Sequence, residues 1–92
     1  MILINPHFSV LQDGTRLNVY HANKGDGLPK HDHAFSHLTM CHAGSIVVRK
    51  ENGEWVRTKD SQPVNLVANE WHEIEALEDG TVFVNVFAEG KY

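Results

Sequence analysis

The segment His31-Asp32-His33-Ala34-Phe35-Ser36-His37 decides the fold. Its histidines all carry odd numbers, so in an extended chain they would share one face. They could not meet there. At about 3.3 Å per residue, His33 and His37 would stand roughly 13 Å apart on a straight strand. Imidazole nitrogens hold an ion such as zinc at about 2.0–2.1 Å. For these residues to serve one ion, the chain must bend sharply between His33 and His37. A strongly curved barrel supplies that bend and a flat sheet does not. His72, on a later stretch of alternating residues, would then close the site from across the barrel.

The sequence around the segment is β-like throughout. No long window repeats its apolar residues with a helical period. Short β-rich runs are expected at 1–4, 8–11, 15–22, 35–42, 45–50, 55–59, 64–67, 71–77 and 81–88, separated by turn signals. Asp13-Gly14 and Asn52-Gly53 are hairpin dipeptides, and Ala43-Gly44 and Asp79-Gly80 are further breaks. The stretch 23–30, with two glycines and a proline, reads as the one long loop before the histidines. Many short strands without repeats or a linker predict an all-β chain, one sandwich or closed barrel over residues 1–92.

Composition narrows the function. The net charge is −4, and Arg49-Lys50 is the longest basic run, so nucleic acid has no electrostatic footprint to bind. Apolar runs are too short for a membrane span. Residues 1–6 lack the basic start of a signal peptide. Cys41 is the only cysteine, which excludes an internal disulfide. A soluble cytoplasmic protein is expected. At 92 residues the core is small, and a homodimer would bury more surface. The outlier is histidine: seven residues, four of them between His31 and His42. His7, His21 and His42 have no evident role, and His42 has the opposite parity to His37.

The spacing of the cluster resembles the first motif of the cupin superfamily. Gly25, five residues, His31-x-His33, three residues, His37, six residues and Gly44 match it in order. The second cupin motif, Pro-x-Gly-x-x-His, is reduced here to Val67-Ala68-Asn69-Glu70-Trp71-His72, with only the histidine kept. The resemblance covers essentially the whole chain and implies a single-domain double-stranded β-helix, or jelly-roll barrel. It also implies that His31, His33, His37 and His72 bind a metal. His37 replaces the usual glutamate, as in the small four-histidine cupins. Neutral imidazoles leave the full charge on a divalent ion, making it a stronger Lewis acid than one with a carboxylate ligand. Four protein ligands would leave two open positions on an octahedral ion. Imidazole suits several ions, so manganese, iron, nickel, zinc and copper all remain candidates.

Parity suggests the rest of the pocket. Thr39 and Cys41 share a face with His37. Cys41 is expected as a small buried apolar residue rather than a reactive thiol. Asn85 and Phe87 lie opposite the Val82, Val84 and Val86 face, where some sugar-acid-converting cupins place pocket residues. A buried amide at Asn85 would be costly without a partner. Glu73 and Glu75 point away from His72, and Asp32 points away from its flanking histidines. Two readings of what the metal does for a ligand stay open, beside a third in which the metal mainly stabilises a small barrel. One is a metal-dependent enzyme acting on a small polar molecule, by dioxygenase or by lyase and isomerase chemistry. The other is a non-catalytic module that binds a sugar or carboxylate through the metal.

Overall fold

Alternation and turn chemistry build the elements. In the computed structural model, which describes residues 1–88, Asp13 and Gly14 both take positive φ, 50° and 78°. That pair joins β2 (Phe8–Gln12) to β3 (Thr15–Ala22) in the primed turn that matches strand twist. The hairpin of β6 (Ser45–Lys50) and β7 (Gly53–Thr58) turns one residue earlier than the Asn52-Gly53 pair implies. Lys50 faces Gly53, so Glu51 and Asn52 form the loop and Gly53 begins the strand at φ 150°.

The remaining strands are β1 (Ile2–Leu3), β4 (Asp26–His31), β5 (His37–Ala43), β8 (Val64–Leu66), β9 (His72–Ala76) and β10 (Thr81–Ala88). No helix occurs among the described residues. Two five-stranded sheets result, in the orders β1-β4-β9-β6-β7 and β2-β3-β10-β5-β8. Every pairing is antiparallel except β1 with β4. The inward faces meet in one core. Ile46, Val48, Ile74 and Ala76 come from the first sheet, and Tyr20, Ala22, Cys41, Val64, Leu66 and Phe83 from the second.

One expectation is overturned. The stretch 23–30 is not a long loop, because Asp26–His31 forms β4 against β9. The missing side chain of Gly27 permits it. A Cβ there would lie 2.0 Å from the carbonyl oxygen of Ile74, so only glycine lets the two backbones approach. Strand β5 also begins at His37 rather than at 35. Residues 32–36 are free of strand pairing and provide the bend between His33 and His37.

The eroded second motif still forms a turn, closed by the Glu70 N–H on the Val67 carbonyl. Asn69 stands where the family pattern has glycine and adopts φ 66°. Asparagine tolerates this left-handed backbone better than any other ordinary residue. The Asn69 N–H donates to the His33 carbonyl at 2.8 Å, and the Ala68 N–H donates to Ser36 Oγ at 2.9 Å. The turn before His72 is thus tied to the bend that carries His33. Asn69→Ala should lower stability by about 1 kcal/mol, and Asn69→Gly should be nearly neutral, as read from urea unfolding midpoints.

Candidate metal centre

Both sheets contribute to the histidine cluster, at one end of the barrel. His31 ends β4 and pairs directly with His72, which begins β9. His37 begins β5 in the other sheet. His33 lies in the bend between the sheets. The ring centres of His31 and His72 are 4.4 Å apart, and those of His33 and His72 are 4.9 Å apart. The donor atoms of His31, His33 and His72 lie within 4.8 Å of one another. His37 stands beside this trio, its ring centre 5.0 Å from that of His33 and 5.3 Å from that of His72.

The hydrogen bonds behind the rings decide what the rings offer. His31 Nδ1 donates to the Pro29 carbonyl and His33 Nδ1 to the Phe35 carbonyl, both at 2.7 Å. His72 Nδ1 donates to the Glu70 carbonyl at 3.3 Å. His37 Nδ1 donates to Thr39 Oγ1 at 3.3 Å. Each Nδ1 therefore carries the hydrogen, and each Nε2 presents a lone pair. Metal-binding histidines are oriented in this way, with the second ring nitrogen bonded to a fixed acceptor. His72 Nε2 is buried with no hydrogen-bond partner. A buried nitrogen lone pair without a donor is costly, and a cation would satisfy it. The donor set fits a divalent transition ion.

Electrostatics agree with neutral imidazoles. His37 and His72 are both pushed down to about 4, chiefly by burial and then by neighbouring rings, His33 for the first and His31 for the second. The ordinary histidine value is about 6.5. Between these values the unfolded chain holds more protons than the folded one, so acid favours unfolding. Metal-free protein should therefore lose stability as pH falls from about 6.5 towards 4, and hold it above that window. Urea unfolding at pH 7 and pH 4.5 after chelator treatment checks this. Equal unfolding free energies at the two pH values would contradict it.

The cluster opens into a cavity of about 420 Å³, whose lining includes His31, His33 and His37. Asn85 and Phe87 line it as well. Thr39 lies behind this wall, fully buried, with its hydroxyl donating to Asn85 Oδ1 at 2.7 Å. That bond partners the buried amide. Cys41 sits deeper, within the hydrophobic core; its thiol donates to the Ala43 carbonyl and burial pushes its pKa up. Parity places both residues inward, but distance along β5 carries Cys41 away from the histidines. Glu73 and Glu75 lie on the outer face, where Arg49 pairs with Glu75 at 2.8 Å and with Glu73 at 3.5 Å. His42 is exposed, and His7 and His21 stack on each other with ring centres 4.0 Å apart.

Asn18 and Tyr20 also line the cavity, and sequence reasoning missed both. The signal existed in their shared parity on β3. Asn18 lies directly opposite Asn85 in the sheet, and Tyr20 opposite Phe83. Apart from Lys30, the remaining wall is apolar, with Phe35 5.1 Å from Phe87 between ring centres.

No family model matches the sequence, and no curated protein matches it. Solved structures match the fold. A conserved protein with a double-stranded β-helix domain from Klebsiella pneumoniae is similar at TM-score 0.73 and 21% identity, over 95% of this chain and 79% of that one. A cupin superfamily protein from Desulfitobacterium hafniense gives TM-score 0.72 and 12% identity, over 89% and 76%. A proposed mannose-6-phosphate isomerase from Ralstonia eutropha gives 0.71 and 18%, over 94% and 82%. With two facing sheets, no helix among the described residues and these neighbours, the chain has the cupin fold.

Proposed function

We propose that this protein is a metal-dependent cupin enzyme that acts on a small polar molecule, with His31, His33, His37 and His72 as its metal ligands. The observation that carries the reading is the convergence of His31, His33 and His72, whose donor atoms lie within 4.8 Å of one another and whose Nδ1 atoms are each bonded to a backbone carbonyl, with the His37 ring beside them. A divalent ion there would supply Lewis acidity without anionic ligands to weaken it. The chain's own residues do the rest. Phe35, Phe87 and Leu28 exclude water from one wall, and Asn18, Tyr20 and Asn85 offer polar groups on another. Dioxygenase and lyase or isomerase chemistry both suit such a site, and the Ralstonia neighbour's proposed sugar-phosphate isomerase role is in keeping with the second.

One observation favours the alternative, a non-catalytic module for a sugar or carboxylate. Among the described residues lining the cavity there is no aspartate or glutamate to serve as acid or base. A single experiment separates the two. Protein purified without a tag is analysed for metal, then the metal-loaded form is incubated with hydroxy acids, keto acids and sugars, with and without air, and followed by proton NMR. Product formation that stops on chelation supports the enzyme. Line broadening of an added compound without product supports the module. Absence of bound transition metal after loading overturns both.

A homodimer belongs to the same proposal. The edge strands β1 and β2 expose Ile2, Leu3, Phe8, Val10 and Leu11, apolar side chains that a second copy would cover. Sedimentation velocity should give a mass near twice the 10.4 kDa chain, and Val10→Lys together with Leu11→Lys should shift it to monomer. No helix among the described residues is long and apolar enough to cross a membrane.

A further inference from the structure

The two sheets present different outer faces. On the first, Arg49 pairs with Glu54, Glu73 and Glu75, a charged surface suited to water. On the second, parity sends outward the residues that alternate with the buried Tyr20, Cys41, Phe83 and Asn85. Strand register lines these residues up in rows across the sheet. One row runs Phe8, Val19, Val84, Met40. The next runs Val10, Leu17, Val86, Leu38. Val82 extends them along β10, opposite His21. Val19 is buried, and the others are half-buried or exposed, with Phe8 at 49%, Val10 at 43% and Leu38 at 41%. Polar residues stand at the rim, among them His21, His42 and Asn65. Among the described residues that face outward on these five strands, none is Asp, Glu, Lys or Arg.

An antiparallel sheet with one face in water normally alternates apolar and polar residues, and this one does not. Apolar rows on both faces are the pattern of a sheet covered on both sides. The rows cross four strands about 4.8 Å apart and run over about 20 Å of strand length, a footprint of roughly 400 Å². Monomeric proteins rarely expose a contiguous apolar patch of more than a few hundred Å². With its polar rim the face approaches the roughly 600–800 Å² that each partner brings to a small or standard interface. The chemistry of the face selects the occupant. A foreign protein is steered and oriented by complementary charge, and this face has none to complement. A two-fold dimer sets a patch against its own copy, and a patch free of carboxylates and cationic groups meets itself without like-charge repulsion. That matters for a chain of net charge −4. We propose that two copies associate through the outer face of the β2-β3-β10-β5-β8 sheet, stacked about 10 Å apart with the valines of β10 at the centre. The proposal rests on the homodimer reading above and moves its centre from the edge strands to the broad face. The footprint lies at the lower end of specific interfaces, so the dimer dissociates reversibly on dilution.

Sedimentation velocity of the full chain, from about 1 to about 200 μM, tests this. The wild type should be dimeric at the top of the range. Val84→Lys puts an ammonium at the centre of the face, and two-fold symmetry buries it twice. It should weaken association by more than about a hundredfold. Should that variant fail to fold, as read from its urea unfolding, Leu38→Lys places the charge at a more exposed position of the same face. It should weaken association by more than about tenfold. Ile2→Lys is the contrast, at 69% exposure on the edge of the other sheet, and should leave association unchanged. A wild type that stays monomeric at the highest concentration overturns the homodimer reading and this proposal together. A dimer that survives a charge at Leu38 or Val84 in a folded variant overturns the broad face alone. A dimer that Ile2→Lys abolishes does the same, and leaves the homodimer reading on the edge strands.

Discussion

His72→Ala should bind zinc or manganese more than about a hundredfold more weakly than the parent, the largest single effect expected of any side chain here. Its ring lies between 4.4 and 5.3 Å from the other three histidine rings, so its loss opens one whole side of the cluster. Its Nε2 is buried and unpartnered, so the same change removes a group that destabilises the metal-free fold. The variant should therefore combine weak metal binding with a shallower acid-induced loss of stability. That combination separates ligand loss from general damage, because a merely disrupted fold would be less stable at every pH. His42→Ala, at an exposed position, is the control and should leave metal affinity unchanged. Metal titration by calorimetry and urea unfolding at pH 7 and 4.5 supply the readouts. Unaltered metal affinity in His72→Ala would sink the proposed centre.

Gly27→Ala should lower stability by about 3 kcal/mol, although it adds only a methyl group and lies outside the cluster. The added carbon would sit 2.0 Å from Ile74 O and 3.0 Å from Glu75 Cα. Both are backbone atoms, so no side chain can swing aside. Strands β4 and β9 must part, and these are the strands that hold His31 against His72. Metal affinity should fall together with stability. Gly14→Ala is a useful contrast. Its φ of 78° imposes strain, but a Cβ there meets nothing within 4 Å, so it should cost about 1 kcal/mol and leave metal binding intact. Thermal unfolding and metal titration of the two variants decide the matter. Near-parental stability in Gly27→Ala would show that the two strands can separate at little cost.

Much of this arrangement is legible in the residues. Period-two alternation placed Thr39, His72, Ile74, Phe83 and Asn85 on inward faces, and all are buried. The same alternation turned Glu73 and Glu75 outward, where Arg49 receives them. Other features escaped. The glycine and proline content of 23–30 mimicked a loop, because the use of Gly27 depends on the carbonyl of Ile74, far away in the chain. Asn69 concealed a turn, since asparagine can adopt a left-handed backbone that its position in the sequence does not announce. Tyr20 and Asn18 looked like ordinary strand residues, and their meaning appears only where Asn85 lies opposite them.

The sequence by itself determined the β character of the chain, the face each strand buries and the crowding of His31, His33 and His37 within seven residues. These are local matters, set by side-chain alternation and short spacings along the backbone. Only the tertiary structure decided which faces meet. It set His31 beside His72, placed His37 on the opposite sheet, and brought Asn18 opposite Asn85 in the cavity wall. Those relations depend on register between strands far apart in sequence, and a slip of one residue would turn every inward side chain outward.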